Sequence, residues 1–221
     1  MNWALVTYSN DRYRSAHKDL INQAQDAGIT CISYSREYIE TTELYSTYKH
    51  IMDQPVGNGY WLWKPYIIAQ SLRSFDQVMY LDTGDRFDPQ VFKYMDQVWP
   101  ADAGCMLAGN THRHDIFCKR DCFVYMDCDT PEYWRLYMIE AGVSFWKKNK
   151  HAEFVLNEWF KYCTDDRILT DQPNESGLDN LPGFIIHRHD QSILTNLAYK
   201  YKLPIDYNIL NFIRCNEYEV N

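Results

Sequence analysis

Asp82 and Asp85 end the run Val78-Met79-Tyr80-Leu81-Asp82-Thr83-Gly84-Asp85, in which apolar side chains give way abruptly to carboxylates. Two hard oxygen ligands at that spacing can hold a divalent cation, Mn²⁺ or Mg²⁺, and a cation held there can hold a diphosphate. A plainer reading stands beside this one, in which Asp82 caps a turn and Asp85 is solvated.

Two other segments carry comparable chemistry. Gly57-Asn58-Gly59-Tyr60-Trp61-Leu62-Trp63-Lys64-Pro65-Tyr66 sets flexible glycines, large aromatics and Lys64 at the start of a helix, where phosphate finds backbone N–H groups and a cation. The alternative is an aromatic-stapled helix entry with Lys64 in solvent. His187-Arg188-His189-Asp190-Gln191-Ser192 opens a later helix. Asp190 can cap that helix, or it can accept the proton of an attacking hydroxyl if its surroundings tune it towards neutral pH. His187 or His189 could then supply a phosphate contact or a metal ligand. A last cluster, His112, His114, Cys118, Cys122 and Cys128, has the residue types of a zinc site, but its spacing matches no common structural zinc pattern.

These groups need a scaffold that brings them together. Trp3–Ser9 has the pattern of a first strand, residues 13–27 that of a helix closed by Gly28, and residues 29–34 that of a second strand. This βαβ opening predicts a parallel sheet, and in an open α/β sheet ligands sit beyond the carboxyl ends of the strands. The Asp82 run would then deliver its carboxylates to the mouth of the sheet. Downstream, the pattern predicts a polar helical stretch to about Met52 and a break at residues 55–59. A helix is expected over 63–72, a short helix over 89–98, and strands over 104–108 and 142–146. An amphipathic helix over 152–163, a loop over 171–183 and a last helix over 189–201 complete the pattern, while residues 110–128 resist assignment. No repeat or linker interrupts the chain, so its 221 residues are expected to form one α/β domain.

A formal charge of -8 argues against nucleic-acid binding and against charge-driven docking on an anionic membrane. No apolar run is long enough to span a bilayer, and Met1-Asn2-Trp3 leads into the first strand without the pattern of a secretion leader. Seven cysteines, an odd number with no C-x-x-C pair, suit reduced thiols, so a cytoplasmic location is expected (the host cytoplasm if the protein is viral). The 18 tyrosines and seven tryptophans offer apolar faces with polar tips, suited to sugar or base rings and equally to core packing.

Taken in order, Gly59-Tyr60-Trp61-Leu62-Trp63-Lys64-Pro65-Tyr66-Ile67-Ile68, Tyr80-Leu81-Asp82-Thr83-Gly84-Asp85 and His187-Arg188-His189-Asp190-Gln191-Ser192-Ile193-Leu194 resemble a nucleotide-sugar glycosyltransferase of the GT-A fold. The likeness is to small single-domain enzymes of bacteria and of large DNA viruses, the chlorella virus type among them. It runs from the first strand to the Asp190 helix. The resemblance implies a compact Rossmann-like fold with a mostly parallel central sheet flanked by helices. It also implies a D-x-D-type motif that binds Mn²⁺ or Mg²⁺ with the donor diphosphate, Asp82 matching its first carboxylate. Gly84 stands where the second Asp is expected, with Asp85 one residue later. Base and ribose contacts are implied for Thr7, Tyr8 and Ser9, phosphate proximity for Arg12, and donor contacts for Lys64, Asp82, His187 and His189. Asp190 and Gln191 match the pair that faces the reacting sugar. Relatives often carry a late metal-binding histidine; none follows His189 here, which leaves Asp206, Glu217 or His189 itself for that place.

The activity so implied is transfer of a hexose from a UDP-sugar (UDP-glucose or a similar donor, UDP-rhamnose included) to a hydroxyl of a glycan or glycoprotein acceptor. Asp190 would be the base of an inverting enzyme, or Asp190 or Gln191 would stabilise the donor face of a retaining one. Trp134, Tyr137, Glu140 and Trp146 are acceptor-side candidates. One rival is a phosphohydrolase of the haloacid dehalogenase type, which needs its acidic strand first in the chain and a later acidic pair such as Asp165-Asp166. The other is a sugar-binding module without chemistry.

Overall fold

The computed structural model describes residues 3–215. Its strands are β1 (Trp3–Ser9), β2 (Thr30–Ser35), β3 (Gln77–Leu81), β4 (Asp85–Phe87), β5 (Cys105–Arg113), β6 (Tyr137–Lys147), β7 (Ile205–Asp206) and β8 (Ile213–Cys215). Six of them form one sheet in the order β2-β1-β3-β6-β5-β7, and β4 pairs with β8 in a second, two-stranded sheet.

β1 runs parallel to β2 and β3, and β5 runs parallel to β7. β6 is antiparallel to both β3 and β5, so a single reversed strand sits in an otherwise co-directional sheet. The expected mostly parallel sheet flanked by helices is therefore present.

Every residue of β3 is buried, because helices cover both faces of the sheet. Alternation along the strand sorts its side chains: Val78 and Tyr80 join one apolar cluster, Met79 and Leu81 the other. The first cluster packs under helices Trp63–Ser71, Lys150–Cys163 and His189–Lys200, the second under Arg14–Asp26 and Gln90–Val98.

Three stretches differ from expectation. The helical stretch ending at Met52 is three short helices, Arg36–Glu40, Glu43–Thr47 and Lys49–Met52. Ser35 and Thr42 cap the first two, accepting hydrogen bonds from the backbone N–H of Tyr38 and Tyr45. The unassigned residues after 109 extend β5 to Arg113 and then form the helices His114–Phe117 and Arg120–Tyr125. β6 is longer than its apolar centre, starting at Tyr137.

Among the described residues no helix is long and apolar enough to cross a membrane. Cys31, Cys105, Cys118, Cys122, Cys128 and Cys163 are free thiols.

Candidate active site

The carboxyl end of β3 turns sharply. Asp85 N donates to Asp82 O at 2.9 Å, closing a four-residue turn through Thr83 and Gly84. That turn places the two carboxylates on one side despite their unusual spacing. If a Cβ were built on Gly142, Asp82 Oδ2 would stand 3.1 Å from it, Glu140 Oε1 3.3 Å and Asp85 Oδ2 3.5 Å. A side chain is missing just where three carboxylates converge.

The turn is locked from beneath. Thr83 Oγ1 donates to Tyr8 O at 2.6 Å and lies 2.9 Å from Thr7 Oγ1. Arg86 donates to the carbonyls of Thr83, Asp85 and Ala16, tying the turn to the Arg14–Asp26 helix. Asp82 N is held by Gly142 O at 2.8 Å, so the acidic turn and the cradle are fixed to each other.

Lys64 reaches this place from the Trp63–Ser71 helix and is 2% exposed. Its Nζ is 3.1 Å from Asp190 Oδ2, 3.6 Å from Asp82 Oδ1 and 3.1 Å from Ala141 O. Burial alone would lower its pKa, but Asp190 and then Asp82 outweigh burial and raise it, so Lys64 is a fixed positive charge. Asp190 lies in the first turn of the His189–Lys200 helix. Burial, with Asp82 adding to it, outweighs the attraction of Lys64 and raises its carboxyl from 3.8 to about 7. A carboxylate tuned to neutrality suits general-base work.

Tyr80 completes the group by donating to Asp82 Oδ1 at 2.5 Å from full burial. The sequence contained the signal for it, since residues two apart on a strand share a face. Glu140 was expected only on the acceptor side, and its place beside Asp82 at the Gly142 cradle had no signal, because β6 meets β3 only through the sheet.

A cavity of about 480 Å³ opens over the acidic turn, lined by Tyr8, Asn10, Arg12, Tyr13, residues 55–58, Trp61, Trp63 and residues 82–85. Tyr8 stacks on Trp63 at 3.9 Å. The wall at residues 57–61 is a left-handed turn, with φ of 55° at Gly57, 51° at Asn58, 97° at Gly59, 52° at Tyr60 and 59° at Trp61. Left-handed backbone costs about 1–2 kcal/mol for each residue with a Cβ. Gly57 and Gly59 are required here: a Cβ on Gly57 would fall 2.4 Å from the Trp61 ring, and one on Gly59 2.7 Å from Met52 Cα.

Other expected residues are placed differently. Thr7 is buried against Thr83 and Ser9 donates to Asn10 O, so neither lines the cavity, whereas Tyr8 and Arg12 do. His187 is buried with both ring nitrogens engaged, Nδ1 accepting from Lys119 N and Nε2 against Ile168 O, which takes it away from donor contact. His189 packs against Tyr60 and Trp61, with Nδ1 2.9 Å from Leu169 O and Nε2 facing Asp171. It props the left-handed turn rather than the carboxylates. Gln191 is buried one residue beyond Asp190.

Of the residues considered for the third ligand position, Asp206 accepts from Tyr94 on the sheet edge, and Glu217 lies outside the described residues. Trp146 is core, stacked on Trp159, and Trp134 is held by Asp129 with Arg120 over its ring. Asp165 pairs with Arg167 and Asp166 with His50, at a helix end lining a different cavity. The cysteine and histidine cluster is likewise divided: Cys118, Cys122 and Cys128 are buried, His114 holds Asn196 at 2.9 Å and His112 is exposed.

Among the described residues no group of three or more His, Cys, Asp or Glu is placed to hold a metal ion. The oxygens round Gly142, Asp82 Oδ2, Glu140 Oε1 and Asp85 Oδ2, are of the hard donor type that Mn²⁺ or Mg²⁺ takes.

No family model and no curated protein sequence matches the chain. Many solved structures are similar to it, two of which illustrate the likeness. One is a glycosyltransferase involved in the glycosylation of the major capsid of PBCV-1, at 14% identity over 70% of this chain with a TM-score of 0.39. The chain spans 65% of that protein's length. The other is mouse xyloside xylosyltransferase 1 in its apo form, at 10% identity over 93% of this chain and 84% of that one, with a TM-score of 0.49.

Proposed function

We propose that this protein is a glycosyltransferase that moves a hexose from a UDP-sugar to a hydroxyl of a carbohydrate acceptor. The observation that carries the reading is Lys64, buried between Asp190 and Asp82, the second of which lines an aromatic-walled cavity. A nucleotide sugar presents a ring to stack, a diphosphate to neutralise and an anomeric carbon to attack. The cavity offers a counterpart for each.

Tyr8, Trp61 and Trp63 give the donor's base flat apolar surface, and Asn10 and Asn58 offer amides beside it. Arg12 in the cavity lining faces the diphosphate, and Lys64, behind Asp82, offsets the negative charge that develops on it as the glycosidic bond breaks. Asp82 and Asp85 are the residues that would hold Mn²⁺ or Mg²⁺, which supplies further charge neutralisation at the leaving diphosphate.

Asp190 accepts the proton of the acceptor hydroxyl. Lys64 keeps its carboxylate in place, and burial keeps it basic enough for the task. Tyr80 fixes the rotamer of Asp82 so that the two acids keep separate roles. A phosphohydrolase would need its acidic strand at the start of the sheet, whereas β3 follows β1 and β2 in the chain.

The test is thermal-shift screening of UDP-sugars with and without Mn²⁺, followed by a transfer assay with the donor that stabilises the protein. Metal-dependent stabilisation by a UDP-sugar supports the reading. Release of free phosphate from simple phosphomonoesters, or no response to any nucleotide, would overturn it.

A further inference from the structure

His189 joins the aromatic wall of the cavity to the helix that carries Asp190. It opens the His189–Lys200 helix with a left-handed backbone, at φ 46°, and Asp190 is the next residue. Such a backbone is rare for a residue with a Cβ and persists only where the surroundings hold it. Here the chain is held on both sides. Before His189, Ile185 N donates to Ile116 O and Arg188 N to Phe117 O, each at 2.9 Å. After it, Trp159 Nε1 donates to Asp190 O at 3.1 Å. With both flanks pinned, the φ of His189 sets where the Asp190 carboxylate stands against Lys64 Nζ, 3.1 Å from its Oδ2.

The His189 ring holds that backbone and reaches the cavity wall. Its Nδ1 is 2.9 Å from Leu169 O, and because a carbonyl can only accept, Nδ1 carries the proton. The ring stacks on Trp61, with centroids 5.6 Å apart and planes at 25°, and Tyr60 lies 4.7 Å away. Trp61 in turn lines the cavity. Among the described residues six with a Cβ are left-handed, and four of them, Asn58, Tyr60, Trp61 and His189, belong to this one seam. Strain gathered where a cavity wall meets the residue before a tuned carboxylate points to a functional constraint.

We propose that His189 is a positioning residue whose ring, held between Trp61 and Leu169 O, fixes the left-handed backbone that sets Asp190 against Lys64, and so ties the alignment of Asp190 to the donor-facing wall. This rests on the glycosyl-transfer reading above. A nucleobase resting on Trp61 loads the far side of the stack, and the stack passes that restraint to the residue before Asp190. His189 itself exchanges no proton with substrate. A general base displaced by a fraction of an ångström loses rate rather than donor affinity, so the effect of His189 falls on kcat.

The experiment uses the full chain. It measures UDP affinity by calorimetry with Mn²⁺, UDP release from the UDP-sugar that the protein turns over, and amide hydrogen exchange with and without UDP. His189→Val, hostile to left-handed backbone, is expected to lower kcat about 10²-fold while UDP affinity and donor KM move less than threefold. His189→Asn tolerates that backbone and brings an amide N–H to Leu169 O, so kcat should return to within about fivefold of wild type. His189→Gly, which frees the backbone and removes the ring, should lose about tenfold and serves in place of His189→Val if that variant does not fold. In the wild type, UDP should slow exchange in residues 57–61 and in 189–192; in His189→Gly, in 57–61 alone. A kcat within threefold of wild type in folded His189→Val and His189→Gly, or UDP affinity that falls in step with kcat, overturns the positioning role and leaves the function standing. Slowed exchange in both segments of His189→Gly overturns the tie to the wall. A wild-type protein that neither binds UDP nor turns over any UDP-sugar overturns the functional reading, and this role with it.

Discussion

Lys64 and Lys119 are buried to nearly the same extent, 2% and 3% exposed, and their surroundings differ in kind. Lys119 Nζ donates to two backbone carbonyls, Gln172 O at 2.7 Å and Thr170 O at 3.3 Å, and its own N–H is received by His187. Burial lowers its pKa, with Asp121 only partly offsetting the shift. Asp121 is itself occupied by the N–H groups of Glu175 and Ser176. This region ties the 171–183 loop down, with polar groups paired to backbone. Lys64 pairs with two carboxylates beside an open cavity, and its pKa is raised. Buried charge matched to backbone holds a fold together, whereas charge matched to charge at the edge of a cavity can change partners when a ligand arrives.

The largest expected effect separates the two lysines. Lys64→Met should lower transfer by about 10³-fold by removing charge stabilisation at the diphosphate. Lys119→Met should leave transfer within a few-fold but cost about 1–3 kcal/mol of stability through the stranded carbonyls, read by thermal unfolding. Equal loss of turnover in both variants would break the comparison.

Asp190→Asn is expected to reduce transfer by about 10²–10³-fold as general-base action is lost, with UDP binding retained in calorimetry. Near wild-type transfer would remove Asp190 from the chemistry. The pH dependence sharpens the same point. Because the base must be ionised, kcat/KM should rise about tenfold per pH unit and level off above about 7. Stability runs the other way. The folded pKa lies above the unfolded 3.8, so this contribution is fully present below about pH 4 and lost as pH rises through about 7.

Two glycines give smaller effects. Gly142→Ala puts a methyl 3.1 Å from Asp82 Oδ2 and should weaken Mn²⁺ stimulation of transfer about tenfold. Gly59→Ala, at φ 97° and against Met52, should cost about 2 kcal/mol in chemical denaturation.

Much of the scaffold was legible in the residues. β1, the all-buried β3 and the amphipathic Lys150–Cys163 helix follow from apolar patterning, because a strand covered on both faces and a helix with one apolar stripe leave different periods. Lys64, Asp82 and Asp190 stood out by residue type and by position at element ends. The zinc-type residues between 112 and 128, whose spacing fits no common zinc pattern, and the histidines at 187 and 189 offered ligation chemistry, whereas the fold buries most of them for packing and hydrogen bonds. Residue type shows what a side chain can do, and burial decides what it does.

The chain alone determined the βαβ opening, the acidic end of β3 and the aromatic entry to the Lys64 helix, since these depend on local patterning and turn chemistry. Tertiary structure decided the rest. It inserted β6 antiparallel between β3 and β5, which brings Glu140 and the side-chain-free Gly142 against Asp82. It also wound residues 57–61 left-handed and closed Lys64 between two acids far apart in the chain. These features depend on non-local pairing and desolvation, which exist only once the sheet has assembled.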